Sequence, residues 1–512
     1  MRYLQSPVRK ARHDIFMELT NLGFDSSAED LVQRLEAIPY KIVGDLPVFR
    51  DSIYREREVA RERVRLSLGM TLMPENTPTN LTEGIEYSNV DEKYYEPPLM
   101  QVIPSACDIC DEKKYVVTDR CRGCVAHPCH YVCPRDAISI KDGKSYIDQS
   151  KCIKCGRCRE ACPYDAISKQ ERPCVRACGV NAIKKDEMGR AWIDPDMCVS
   201  CGMCMVSCPF GAISDKSQVF QLAKALGSGQ KVTAIVAPAF IGQFGSKVGK
   251  PELRQALIDL GFYEMAEVAY GADVGAIAEA EHYAHSVETG ELPFLLTSCC
   301  PSWAMLAKIY FPTMIDNISR ELTPMVATAR QVKKENPDSR VVFIGPCSAK
   351  KLEASRRTVR SDVDFVITFE ELQAMFDARG IELLEGEDLA ELDRLEDRSD
   401  VFNITNSGAG RGYAVAGGVA KAIEECLKEY HPDATVNIHH AEGLADCKKI
   451  LQLAKAGKLT HCLIEGMGCP GGCVAGAGTN IQPEDAKKIL ASYVAKTNKK
   501  VPPLEYKDIH LE

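Results

Sequence analysis

The sequence is short of several things, and each shortage excludes something. Tryptophan occurs only twice in 512 residues. No run of about 18 apolar residues is present, so nothing reads as a membrane span. The net charge of −9 lacks the basic excess that a nucleic-acid surface requires. The opening MRYLQSPVRKARHDIFMELTN is charged from its start and has no apolar signal core. A cytoplasmic location is therefore expected. Cysteine is absent before Cys107, then abundant: 24 in all, sixteen of them between Cys107 and Cys208. In a reducing compartment that density points to metal rather than to disulfides.

The spacing says which metal. CIKCGRCREACP supplies Cys152, Cys155, Cys158 and Cys162, and CVSCGMCMVSCP supplies Cys198, Cys201, Cys204 and Cys208. Both match the bacterial ferredoxin run, in which three close thiolates wrap one [4Fe-4S] cluster and the fourth reaches a second. CRGCVAHPCHYVCP, from Cys121 to Cys133, is the same run with two extra residues before its third cysteine. By that logic Cys121, Cys124, Cys129 and Cys162 hold one cluster, and Cys152, Cys155, Cys158 and Cys133 its partner. CDIC (Cys107, Cys110) and PCVRACGVNAI (Cys174, Cys178) read as the two halves of one run split by an inserted two-cluster ferredoxin. Cys198, Cys201, Cys204 and Cys178 then form a third cluster; Cys107, Cys110, Cys174 and Cys208 form a fourth. The arrangement resembles the four-cluster electron-transfer subunits of molybdenum oxidoreductases. Structural zinc also uses C-x2-C pairs, but it rarely repeats the third and fourth cysteines and the proline after them. His127 and His130, beside Cys129, read as surface or supporting histidines. A row of clusters conducts electrons and has no substrate chemistry, so a catalyst is expected elsewhere.

From about residue 230 short apolar runs alternate with helical stretches, the texture of an α/β fold. KVTAIVAP (231–238), PFLLTS (293–298), RVVFIGP (340–346) and THCLIEG (460–466) read as buried parallel strands. Each runs into a candidate site segment, and open parallel sheets bind ligands beyond the carboxyl ends of their strands. The last of these segments, EGMGCPGGCVAGAG (465–478), is almost emptied of bulky side chains around Cys469 and Cys473. Glycine costs conformational entropy, so the run predicts close approach to a bulky non-protein group.

TSCCPSW (297–303), PCSAKKLEA (346–354) and EGMGCPGGCVAGAG resemble the three signature segments of iron-only ([FeFe]) hydrogenases. The resemblance spans roughly 215–512. It implies a two-lobed α/β catalytic domain, parallel sheets flanked by helices, with the active site between the lobes. It implies that Cys300, Cys347, Cys469 and Cys473 ligate a cubane, and that Cys473 bridges to a diiron unit carrying CO, CN⁻ and a dithiolate: the H-cluster. Lys350 is implied as donor to a cyanide, Pro238 and Ala239 as walls of the cyanide pocket, and Met467 as the methionine over the diiron unit. Cys299 is implied as the proton-exchanging thiol, and an ordinary thiol pKa of about 8.5 suits that task. Glu279 and Ser319 align with the next members of the proton path. The outer positions hold His282 and Ser286, with Glu281 adjacent, and so depart from the family. Met325, Gly345 and the serine of PSW depart nearer the metal. Cys426, Cys447 and Cys462 fit no motif and read as buried filler.

Residues 1–99 are expected to be a helical segment and linker, 100–215 an α+β ferredoxin-like domain with about four clusters, and 216–512 the catalytic domain. The amphipathic patterns in DIFMELTNLGF, AEDLVQRLEAI and DSIYREREVARERVRLSLGM predict helices that cap the cluster domain; a docking surface for a redox partner is the other reading. The expected function is reversible reduction of protons to H2. Ferredoxin or a similar one-electron carrier is the expected partner, and hydrogenase maturation proteins supply the cofactor. Two other readings stay open: a low-turnover H2 sensor, and an iron–sulfur assembly scaffold related to hydrogenases.

Overall fold

Seven short strands, most of them buried along their whole length, organise the second half of the chain. The computed structural model describes residues 6–25, 30–384, 401–402, 404, 406–509 and 511. The strands form two parallel sheets. One has the order Glu264–Glu267, Val232–Val236, Arg340–Gly345, Phe365–Thr368. The other runs Phe294–Leu296, Cys462–Met467, Asn437–Glu442. Each of the four strands expected from the sequence is present. Parallel strands need long crossovers; helices Lys250–Asp259 and Leu444–Lys455 lie in such links, while Ala269–Ser286, Pro324–Glu335 and Gly418–Tyr430 carry the chain from one sheet to the other. Cys426, Cys447 and Cys462 are fully buried among apolar side chains, as filler should be.

The cluster region is a nest of antiparallel strand pairs. Met100–Val102 pairs with Ile213–Asp215 and Ile183–Lys185 with Ala191–Ile193. Between the two halves of this outer unit sits an inner one, in which Lys114–Val117 pairs with Ile167–Gln170 and Ile138–Lys141 with Lys144–Ile147. The inner unit begins and ends on adjacent strands, so it enters the outer unit without disturbing it.

Helices Pro7–Phe24, Leu31–Ile42 and Ile53–Ser67 form the amino-terminal layer; residues 1–5 and 26–29 of that stretch lie outside the described residues. The first helix is started by Ser6, whose hydroxyl accepts from Arg9 N at 3.3 Å, with Pro7 at its first turn. This layer does not cap the cluster domain alone. Helix Pro7–Phe24 lies on helices Val219–Gly227 and Phe369–Arg379, while Ile53–Ser67 lies against the outer cluster unit. The reason is electrostatic as well as apolar. Buried Arg12 pairs with Glu370 at 3.1 Å and Asp215 at 3.5 Å, and buried Lys351 with Asp215 at 3.0 Å and Glu371 at 2.8 Å. Three regions of the chain share one buried charge network. Removing one partner from such a set costs about 3–5 kcal/mol, because the remaining charge stays buried.

Candidate functional site

Four strand tips meet at one cavity of about 90 Å³. Val232–Val236 leads to Pro238 and Ala239, which lie in a tight 3-10 turn. Phe294–Leu296 leads to Cys299 and Cys300, with Cys300 capping helix Pro301–Tyr310. Arg340–Gly345 leads to Cys347, which caps helix Ser348–Glu353. Cys462–Met467 leads to Cys469 and Cys473. Cys299, Cys300, Cys347, Cys469, Cys473, Lys350, Met467, Pro238 and Ala239 all line the cavity. The first lysine of SAKK is thus at the site; the second, Lys351, is in the charge network.

The donor set suits an iron–sulfur group. Gly468 N donates to Cys300 Sγ at 3.4 Å, a bond suited to a thiolate. Burial pushes Cys347 up to about 11 and Cys469 well above the thiol range, and neighbouring thiols push further. Such thiols ionise when metal replaces their protons. Burial alone would lower the Lys350 ammonium, but the Glu353 carboxylate at 2.6 Å and the thiols of Cys347 and Cys299 carry it above its ordinary value. Lys350 Nζ makes no well-angled hydrogen bond to protein, so a buried cation faces the cavity with donors to spare. Among the described residues no three His, Cys, Asp or Glu side chains close to single-ion spacing. Tetrahedral zinc would draw its sulfurs to about 3.8 Å apart, given Zn–S bonds of about 2.3 Å. Four thiols arranged around a void fit a polynuclear cluster instead.

Glu279 is buried on helix Ala269–Ser286, and burial raises its carboxyl to about 7 despite hydrogen bonds from the Ser319 hydroxyl and Ser298 N. The Ser298 N–H lies 3.4 Å from Glu279 Oε1, which joins Glu279 to the loop bearing Cys299. Glu321 N donates to Ser319 Oγ at 3.3 Å. The Cys299 thiol is not at the ordinary pKa expected of it. Burial, then Glu279 and Glu465, push it well above, so it stays a protonated donor. Farther out, Glu281 pairs with Lys507 at 2.5 Å. The Ser286 hydroxyl turns back onto the His282 carbonyl of its own helix.

The glycine run has a further cause besides the one expected. A Cβ on Gly466 would strike the Trp303 ring at 2.1 Å; on Gly472, Ala416 N at 2.4 Å; on Gly476, Pro346 O at 2.5 Å. Gly471 and Gly472 also hold left-handed φ of 95° and 88°. Protein packed on protein demands these residues. Gly468, Gly472 and Gly476 border the cavity as well.

Several lining residues escaped the sequence reading. Tyr413 is buried, and among the described residues its hydroxyl has no partner. Phe343 lines the wall and covers Gly345, where a Cβ would meet its ring at 2.6 Å. Glu465 points off strand Cys462–Met467 and accepts from Gly417 N at 2.9 Å and Ala420 N at 2.8 Å. A lone acid in an apolar strand was a usable signal for Glu465; nothing in GAGRGYAVAGG marked Tyr413. The serine of PSW, Ser302, donates to Val199 O at 3.0 Å and ties the site to the CVSC run. Cys201 of that run lines the same cavity.

Two of the four expected upstream quartets each line one cavity. Cys133, Cys152, Cys155 and Cys158 line one small cavity, and Cys107, Cys110, Cys174 and Cys208 another. Burial, then Cys201, Cys198 and Cys178, push Cys204 well above the thiol range. Cys129 and Cys162 share the core of the inner unit, and Cys121 and Cys129 both bond the Ser145 hydroxyl.

Comparison with known proteins finds hydrogenases and, over shorter stretches, iron–sulfur assembly factors. Residues 230–477 match the family described as "Iron only hydrogenase large subunit, C-terminal domain", and 145–168 and 191–214 match "4Fe-4S binding domain". The chain is 29% identical over 416 residues to iron hydrogenase 1 of Clostridium pasteurianum, covering 70% of this chain and 69% of that one. It is 30% identical over 388 residues to the periplasmic [Fe] hydrogenase large subunit of Nitratidesulfovibrio vulgaris, covering 66% and 86%. A solved variant of the apo [FeFe]-hydrogenase of Chlamydomonas reinhardtii is similar at 21% identity and a TM-score of 0.41, over 53% of this chain and 85% of that one.

Proposed function

The chain belongs to the iron-only hydrogenase family, and from that premise we propose that it catalyses reversible reduction of protons to H2, fed by a ferredoxin-type carrier. One observation carries the reading: Cys300, Cys347, Cys469 and Cys473, the Cys299 thiol and Cys201 of the electron wire all border one cavity. Cys300, Cys347, Cys469 and Cys473 would hold the cubane of an H-cluster, with Cys473 also anchoring the diiron unit. When bound, that unit supplies the metal site at which H2 is made or split.

The protein's own part is charge, protons and exclusion of water. Lys350 supplies the positive charge that an anionic ligand needs inside a dry cavity. Pro238, Ala239 and Met467 give that ligand apolar walls. Protons pass between Cys299 and Glu279, whose carboxylate the Ser298 N–H holds beside the Cys299 loop. The Glu279 carboxyl, raised to about 7, holds both protonation states at neutral pH. Ser319 and Glu321 continue the line outward. The departures Met325 and Gly345 place a thioether and, through Gly345, the Phe343 ring at the cavity wall. The two parallel sheets are the two lobes of the expected catalytic domain, and the four upstream quartets are four accessory clusters. Electrons reach the cubane from the quartet that includes Cys201.

The test is infrared spectroscopy and H2 evolution on protein matured with hydrogenase maturases. CO and CN⁻ bands together with H2 production from a reduced carrier are expected. Bands without turnover would refute the catalytic reading and leave a sensor; no bands after maturation would leave an assembly scaffold.

A further inference from the structure

We propose that electrons enter at the inner ferredoxin-like unit, through a basic surface that docks an acidic one-electron carrier protein. Residues 114–170 carry eleven Lys and Arg against six Asp and Glu, a net charge of +5 in a chain whose total is −9. The rest of the chain is therefore at −14, so on balance it repels an acidic partner while this unit attracts one. Among the described residues, Lys114 and Lys169 are the cations of this unit that pair with carboxylates, Asp111 at 2.9 Å and Glu171 at 2.5 Å. Both sit at the strand pair where the unit joins the chain.

The remaining cations flank the thiols. Arg135 and Arg157 line the cavity of Cys133, Cys152, Cys155 and Cys158. At the other quartet, the turn between Lys141 and Lys144 lies on the loop of Cys121 and Cys124; a Cβ on Gly123 would overlap Gly143 O at 1.9 Å. Among these charges stand exposed apolar side chains: Val125 at 96%, Tyr131 at 80% and Ile153 at 55% exposure. Charged rims around exposed apolar side chains are the make-up of a protein-docking face.

The port is the thinnest cover over any cluster. Of the 24 cysteines, Cys155 alone is exposed. The two quartets of the outer unit carry more cover. Arg50 Nη2 donates to Phe210 O at 3.0 Å beside Cys208. Tyr310 Oη donates to Val180 O at 2.9 Å and Met197 O at 3.3 Å beside Cys178 and Cys198. A carrier gains both electrostatic steering and the shortest approach at the same face.

The proposal rests on the hydrogenase reading only for what happens after the electron arrives. Its test therefore reads the electron itself. Cluster-reconstituted full-length protein is mixed with a dithionite-reduced acidic [4Fe-4S] ferredoxin, and bleaching of the accessory clusters is followed by stopped flow. The second-order rate is expected to fall at least about tenfold as salt rises from about 0.05 to 0.5 M. Lys141→Glu/Lys144→Glu, remote from every ligand in sequence, is expected to slow it about tenfold at low salt. Reduction by one-electron-reduced methyl viologen, a small radical cation, should not slow. Arg157→Gln/Arg159→Gln gives a second variant, with iron content checked. A ferredoxin rate that ignores salt and charge reversal overturns the proposal. So does equal slowing with viologen, or ferredoxin bound no more tightly than a random DNA duplex. If the carrier reduces the clusters as expected and no H2 follows, the catalytic reading fails and this one stands.

Discussion

At the residue scale the site turns on hydrogen-bearing groups that face a dry cavity. Cys299→Ser should retain every cluster yet lower H2 turnover at least about a hundredfold, since a positioned acid–base group is worth about 10²–10⁴. Iron content and infrared bands check the first half, a rate assay the second; a variant running at the wild-type rate would move the proton path elsewhere. Tyr413 gives a separate prediction. Its hydroxyl lines the cavity with no partner among the described residues, and burial, then Glu279 and Cys299, hold its proton well above the phenol range. Tyr413→Phe removes one oxygen and leaves the packing. It should shift the CO and CN⁻ bands of matured protein by altering hydrogen bonding at the cofactor, and unchanged bands would assign Tyr413 to packing alone. The motif thiols were legible because ligand spacing is dictated by cluster geometry. Tyr413 and Phe343 were not, because a side chain that reaches a cavity by tertiary packing leaves no periodicity in its own segment.

At the element scale, helix Ala269–Ser286 carries two buried acids, Asp273 and Glu279, both raised to about 7 by burial. A raised acid holds its proton in the folded state between its unfolded value, near 4.5 for Glu, and about 7. The folded state then binds more protons than the unfolded one, so stability is fully present below about 4.5 and lost as pH rises through about 7. Glu279→Gln removes that dependence. The difference in unfolding free energy, wild type minus variant, should fall by about 3 kcal/mol between pH 4.5 and 8, at about 1.4 kcal/mol per pKa unit. Denaturant titration across that range measures it, and a flat difference would place the Glu279 carboxyl in water. The same helix shows the limits of periodicity: 12 of its 18 residues are buried, including Asp273 and Glu279, so no polar face announces which acid is inside. Strands behaved likewise. VTAIV, FLL, RVVFIG and CLIEGM announced themselves as apolar runs. Glu264–Glu267 has a carboxylate at each end, and Asn437–Glu442, at the edge of its sheet, presents only half-buried and exposed side chains over its first four positions. Edge position alone is not the cause, since Phe294–Leu296 is also an edge strand and is fully buried; it is the half-exposed flank of Asn437–Glu442 that leaves no apolar run to read.

At the scale of the whole molecule the chain is modules set inside modules, and its second half stands on charge as well as apolar packing. The split cysteine run was readable as an insertion because its halves complete one another's ligand count, and the strand pairing supplies the mechanical reason. Val117 lies opposite Ile167, with Lys114–Val117 and Ile167–Gln170 antiparallel. Two strands that end face to face can be joined by a two-residue turn. Replacing residues 118–166 by Asn-Gly should therefore close the outer unit without strain. Two quartets leave with the insert, so the variant should carry about eight fewer irons, at four per cluster. The quartets of Cys107, Cys110, Cys174, Cys208 and of Cys178, Cys198, Cys201, Cys204 keep all their ligands, and their EPR signals should survive. The excised stretch holds nine Lys and Arg against six Asp and Glu and so takes +3 of charge with it; the shortened chain is more acidic and should refuse an acidic carrier. One-electron-reduced methyl viologen, a small radical cation, should still drive H2 evolution through the quartet at the cavity. A variant that loses all accessory signals would mean the inner unit is a folding support for the outer one. A variant that still accepts electrons from ferredoxin at the wild-type rate would put the electron port on another face.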